Sequence, residues 1–341
     1  MDKRIPSLDG LRAVSISLVI ASHLTLEHPL PLLWRVQYGK LGVRVFFVIS
    51  GFLITSLLLK ELQRTGGISL VGFYVRRLFR IAPAYYVFLG AMVLLIPTGY
   101  VMATYHGAIL SALYLNDYTF SGGTLGHTWS LAVEEQFYLL WPLALVLLGL
   151  RRAPYLCASM LLMAPTFRLM SSYGLWPTDP QLAFESVCDA LSMGCLLAIL
   201  RERFWSVSIY RKLVSSRWVL MIPIGALLAM AVAPSSVVLW TFGLSILNIG
   251  IAMALDRYMR FPGTSFGQIL NWRPIAWVGT ISYSLYLWQQ PFMPGSLPIP
   301  WYAKIACALA CAAASYYWIE QPVLSLRKKF GQPRIPVTMA A

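Results

Sequence analysis

Ile5 to His23, IPSLDGLRAVSISLVIASH, is a strongly apolar run that keeps one arginine, Arg12, and one histidine, His23. They are eleven residues apart, close to three turns of a helix with about 3.6 residues per turn, so the two side chains share a face. At about 1.5 Å per residue the separation is roughly 16 Å along the axis, half of a hydrocarbon core about 30 Å thick. A guanidinium or imidazole facing lipid at that depth costs several kcal/mol unless it meets protein or water. The pair therefore reads as a polar line inside a helix bundle. The plainer alternative is a snorkelling arginine at one helix end and an interfacial histidine at the other.

A second candidate lies in Gly126-His127-Thr128-Trp129-Ser130-Leu131-Ala132-Val133-Glu134-Glu135-Gln136-Phe137-Tyr138. Two adjacent carboxylates at the mouth of an apolar helix are expensive against lipid. Thr128 or Ser130 could cap that helix, with the acids favoured by its dipole. The functional reading is that Glu134 or Glu135 meets His23, orients the imidazole and stabilises its protonated form, as a base in acyl transfer requires. A third candidate is Arg76-Arg77-Leu78-Phe79-Arg80. Arg77 and Arg80 share a helical face, and guanidinium forks match the phosphate oxygens of a cytoplasmic donor. Arginines here also satisfy the positive-inside bias. Further along, Glu185 and Asp189 share a face; an ion pair from Arg168 to these acids is the structural reading, and lining of the substrate cavity is the alternative.

These groups need a membrane scaffold. The 341 residues are 58% hydrophobic and only 12% charged, against about 25% charged in a soluble domain. Apolar runs recur from end to end, giving an all-α bundle with spans expected at 8–27, 40–60, 79–97, 131–150, 153–170, 183–200, 217–233, 236–255, 273–291 and 302–319. The piece at 105–116 is short for a crossing and suits a re-entrant or interfacial helix. With it not crossing, Lys3 and Arg4, the cluster from Lys60 to Arg80, Arg151 and Arg152, the cluster from Arg201 to Arg217, the cluster from Arg257 to Arg273, and Arg327 to Lys329 all fall on one side. That side is the cytoplasm, with both termini there. Arg35, Lys40 and Arg44 are the exceptions, on or near the first outer loop.

The net charge of +14 is loop charge beside anionic membrane lipids, and no basic block alternates with solvent-facing aromatics, so nucleic-acid binding is rejected. Cys157, Cys188, Cys195, Cys307 and Cys311 all sit in apolar segments as small packing residues, without zinc-type spacing, so no metal is expected. Residues 1–330 are expected to form one transmembrane domain, with 331–341 a cytoplasmic tail. Gly39, Gly42, Ser50 and Gly51 suit close helix packing.

Taken in order, IPSLDGLRAVSISLVIASH, GVRVFFVISGFLIT (42–55), FYVRRLFRIAPAYY (73–86), HTWSLAVEEQFYLLWP (127–142), CDALSMGCLLA (188–198), WVGTISYSLYLWQQP (277–291) and WIEQP (318–322) resemble the acyltransferase 3 family of integral membrane acyltransferases. The resemblance implies transfer of an acyl group, commonly acetyl, from cytoplasmic acyl-CoA to a hydroxyl, often of a carbohydrate, at the outer face of the bacterial inner membrane. It implies function for Arg12 and His23, for Arg77 and Arg80 with neighbouring Arg76 at the donor, and for Glu134 and Glu135. Many relatives read Trp-His-x-Pro where this chain has Trp288-Gln289-Gln290-Pro291, and Gln289 cannot act as a base. No hydrolase-like segment of the kind fused to some relatives is present, so a stand-alone form is expected. The rival readings are a transporter or flippase for a lipid-linked or polar solute, and a non-catalytic membrane partner of a glycan-assembly complex.

Overall fold

In a computed structural model of the chain, the structure describes residues 5–25, 38–119, 122–293, 298–329 and 337–338. Nearly all of these are helical. The helices are α1 (Leu8–Thr25), α2 (Tyr38–Thr65), α3 (Leu70–Leu95), α4 (Tyr105–Ala112), α5 (Trp129–Leu148), α6 (Ala153–Ser172), α7 (Phe184–Ser206), α8 (Ser208–Ser215), α9 (Met221–Val232), α10 (Val237–Arg260), α11 (Ser265–Asn271), α12 (Arg273–Thr280), α13 (Ser282–Trp288), α14 (Trp301–Ser315) and α15 (Gln321–Lys329). The described strands, β1 (Gly67–Ile68) and β2 (Val337–Thr338), form one short antiparallel pair. Lys3, Arg4, His28 and Arg35, and most of the expected tail at 331–341, lie outside the described residues.

Among the described residues, four helical stretches are long and apolar enough to cross a membrane: Tyr38–Thr65, Leu70–Thr98, Gly123–Leu148 and Val237–Arg260. The pair Ser208–Ser215 and Arg217–Val232, bent by 86°, makes a fifth if counted as one span. Ten crossings are thus not reached by continuous apolar helices. The shortfall has physical causes. α7 carries Glu185, Asp189, Arg201, Glu202 and Arg203. The expected span at 273–291 breaks between α12 and α13, and the one at 302–319 passes into a π turn over Tyr316–Glu320. The eight-residue α4, capped by Thr104 accepting from the Gly107 N–H, covers about 12 Å at 1.5 Å per residue and is too short to cross.

The chain divides into two compact units, Met1–Leu57 with Pro154–Thr280, and Leu58–Ala153 with Ile281–Ala341. The first is held by close backbone approaches. A Cβ on Gly279 would strike the Asp9 carbonyl and one on Gly10 the Leu270 carbonyl, so α1 lies hard against α11 and α12. Gly51 and Gly194 do the same for α2 and α7, against the backbone of Leu191 and of Val48. Gly39 meets Ser22, and the Ser15 hydroxyl donates to the Gly42 carbonyl. Small residues let the helices approach this closely, as the sequence pattern requires. Cys157, Cys188 and Cys195 are buried as packing residues.

In the second unit, α3 starts nine residues before the expected 79. Ser69 caps it by accepting from the Gly72 N–H at 3.1 Å. Arg76, Arg77 and Arg80 therefore lie inside the helix and not at its mouth. Hydropathy misses this because Arg76, Arg77 and Arg80 interrupt the run that Leu70–Val75 begins.

Candidate active site

Arg12 and His23 both lie on the single helix α1, each partly buried, so the spacing argument for a shared face holds in the structure. The start of α1 is pinned within the same unit. Asn271 accepts from the Ser7 N–H at 2.8 Å, and its amide nitrogen donates to the Ser7 hydroxyl at 2.9 Å.

The other candidates fall in the second unit. Arg77 on α3 faces Glu135 on α5, with Nε 3.8 Å from Oε1 and both side chains about one-quarter exposed (25% and 23%). Its guanidinium carbon lies 3.5 Å from the centroid of the Tyr138 ring, three residues along from Glu135. The stack fixes the plane of the guanidinium, and the long ion pair leaves the Arg77 Nε without a hydrogen bond. Tyr283 lies close to Glu135, to Tyr114 and to Glu320, and its hydroxyl donates to the Ile81 carbonyl at 3.0 Å, tying α13 to α3. Arg80 follows one turn after Arg77 and lies near Tyr316 of the π turn.

Arg76 has a different partner. It reaches Glu61 Oε2 at 2.5 Å, and Glu61 Oε1 also accepts from the Ser69 N–H. This staple joins the end of α2 to the start of α3, so Arg76 is engaged where the expectation placed it with Arg77 and Arg80 at the donor.

The glutamates are positioned by the turn after α4. Gln136 donates to Asp117 at 3.0 Å and to the Tyr114 carbonyl at 3.0 Å. Asn116 donates to the Leu125 carbonyl and to the Thr128 hydroxyl. Tyr114 stacks on Tyr85 with centroids 4.9 Å apart. Burial, then the charge of Glu135, push its phenol well above the usual range. Neither expected cap forms: Thr128 at the N-cap makes no cap bond, and Ser130 pairs with the Tyr286 hydroxyl at 2.6 Å. A 3-10 turn over Gly123–Thr128 feeds the helix instead.

Two buried polar groups of this unit were not among the sequence candidates. His127 is buried, with its ring 5.2 Å from that of Tyr286, whose hydroxyl donates to the His127 carbonyl at 2.9 Å. Glu320 is a buried carboxylate in the π turn and accepts from the Ser284 hydroxyl. A lone acid in the apolar WIEQP run was the available signal. Gln289 is fully buried. Among the described residues no group of three or more His, Cys, Asp or Glu could hold a metal ion.

Over residues 5–299 the chain matches the acyltransferase 3 family, described as an acyltransferase domain. A helical membrane scaffold with these motifs in this order belongs to that family, and the chain is a member of it. It is 31% identical to the O-acetyltransferase OatA of Staphylococcus aureus, over 95% of this chain and 57% of that protein. It is 28% identical to the peptidoglycan O-acetyltransferase OatA of Listeria monocytogenes, over 94% of this chain and 56% of that protein. The chain thus spans little more than half the length of these relatives. No solved structure matches it.

Proposed function

We propose that the protein is a membrane O-acyltransferase, moving an acetyl group from acetyl-CoA at the cytoplasmic face to a hydroxyl of a carbohydrate acceptor at the outer face. The observation that carries this reading is the family match across 5–299, which includes the helix that holds Arg12 and His23. The two relatives named as O-acetyltransferases support the acetyl group and the glycan class. The reading includes ten crossings of the inner membrane with both termini cytoplasmic.

In this reading Arg77 and Arg80 bind donor phosphates. The ring stack holds the Arg77 guanidinium in one plane, and the side chain is about one-quarter exposed, so its outer N–H groups can meet an oxyanion. His23 takes the proton of the acceptor hydroxyl, assisted by Glu134 or Glu135. The oxygen attacks the thioester carbonyl, the C–S bond breaks and CoA leaves as the thiol after taking up a proton. Arg12 stabilises charge along the same helix face. The test is release of free CoA by membranes carrying the protein, with and without candidate glycans. Glycan-stimulated release is expected; solute movement with no CoA released would replace this reading with a transporter.

A further inference from the structure

Lys40 and Arg44 break the charge bias of the other loops, and the structure shows what Arg44 does. Arg44 on α2, Arg168 on α6 and Asp189 on α7 meet inside the first unit, with side chains 6%, 2% and 0% exposed. Arg168 Nη2 donates to Asp189 Oδ2 at 2.6 Å and to the Ser245 hydroxyl at 2.8 Å. Arg44 Nη1 reaches Asp189 Oδ1 and the Asn248 side-chain oxygen, each at 3.3 Å. One acid thus serves two arginines.

Lys40, one turn before Arg44, lies over Trp240 at 5.4 Å and near Asp179. Glu185, one turn before Asp189, accepts from Trp176 and Thr178. Arg44 and Arg168 converge on the one carboxylate of Asp189 in a low-dielectric interior. A buried guanidinium that its acid does not fully satisfy costs several kcal/mol unless another acceptor completes it. A structural staple would need only one base for the acid. Three buried donors are also left without partners: Arg168 Nε, Arg168 Nη1 and Asn248 Nδ2. All three are donors, and buried donors without acceptors are rare.

We propose that Arg44, Arg168 and Asn248 form an oxyanion site that holds a carboxylate or phosphate carried by the acceptor. The inference rests on the acyltransferase reading for the acceptor and for its side, which is that of His23. Arg44 is six residues from the Tyr38 end of that helix. There the Tyr38 hydroxyl donates to the Ala21 carbonyl and Gly39 packs on Ser22, next to His23. The site therefore opens the question of substrate class: an acidic glycan, not a neutral one.

The experiment uses the full chain in phosphatidylcholine nanodiscs, without donor, and measures binding of glucuronic acid, glucose 1-phosphate and glucose. Wild type is expected to bind at least one acidic sugar ten times or more tighter than glucose. The double variant Arg168→Gln/Asp189→Asn, which removes the pair together, is expected to lose that preference. Asn248→Leu, which keeps the Arg168–Asp189 pair, is expected to weaken it several-fold. Equal binding of the three sugars by wild type, or a preference that survives both variants, overturns the site. Abolition of the preference by phosphatidylglycerol assigns the oxyanion to a lipid headgroup and overturns the acceptor assignment. A preserved preference without CoA release leaves the site standing and removes the transferase reading, so the two failures are separable.

Discussion

The two units each set arginine against acid inside apolar helices, and they do it differently. In the first, Arg168 and Asp189 meet at 2.6 Å with almost no exposure. In the second, Arg77 and Glu135 stand 3.8 Å apart, each about one-quarter exposed, with the guanidinium lying on a tyrosine ring. A short, sealed pair commits only Nη2 of the guanidinium to its acid and leaves Nε and Nη1 buried behind it. A long, partly wet pair leaves N–H groups for a ligand while the ring keeps them aimed. Pairing length and exposure thus separate an arginine sealed in the interior from one that is partly wet.

Breaking the sealed pair should have the largest effect. Asp189→Asn leaves two buried guanidinium groups without their carboxylate and should cost about 3–5 kcal/mol, read as a large fall in melting temperature in detergent. An unchanged melt would show that the pair is not sealed. Next is the loose pair. Arg77→Gln should raise the KM for acetyl-CoA roughly 10- to 100-fold, about 1.4–2.8 kcal/mol, with little change in melting. Arg77→Lys should rescue only partly, because an ammonium neither forks nor stacks. A melting loss as large as that of Asp189→Asn would erase the contrast between the units. The smallest effect belongs to Arg76→Gln at the partly exposed Glu61 staple. It should cost at most about 1 kcal/mol and leave the KM for acetyl-CoA unchanged; a KM shift like that of Arg77→Gln would return Arg76 to the donor site.

Much of this was legible in the chain. The helical class follows from composition, and the shared face of Arg12 and His23 from spacing alone. Close packing at Gly39, Gly42 and Gly51 follows from the size of glycine. The ion pair from Arg168 was expected, yet Asp189 takes it while Glu185 turns to Trp176 and Thr178. The choice depends on side-chain reach across helices, which periodicity does not encode. The start of α3 was missed because a serine cap ten residues upstream outweighs hydropathy. Tyr138 under Arg77, and Glu320 in its π turn, became visible only when distant segments were brought together. The breaks at 273–291 and 302–319 were missed because apolar composition does not distinguish a straight helix from a bent or π-bulged one.

The most direct test of the transfer chemistry is made in inverted vesicles carrying correctly inserted wild type or His23→Ala, loaded with a glycan acceptor in the lumen and supplied with labelled acetyl-CoA from outside. Wild type should release one CoA for each acetyl ester formed, and His23→Ala should lose both products together, by about 10²-fold or more. Ester formation at the wild-type rate in His23→Ala would contradict the account.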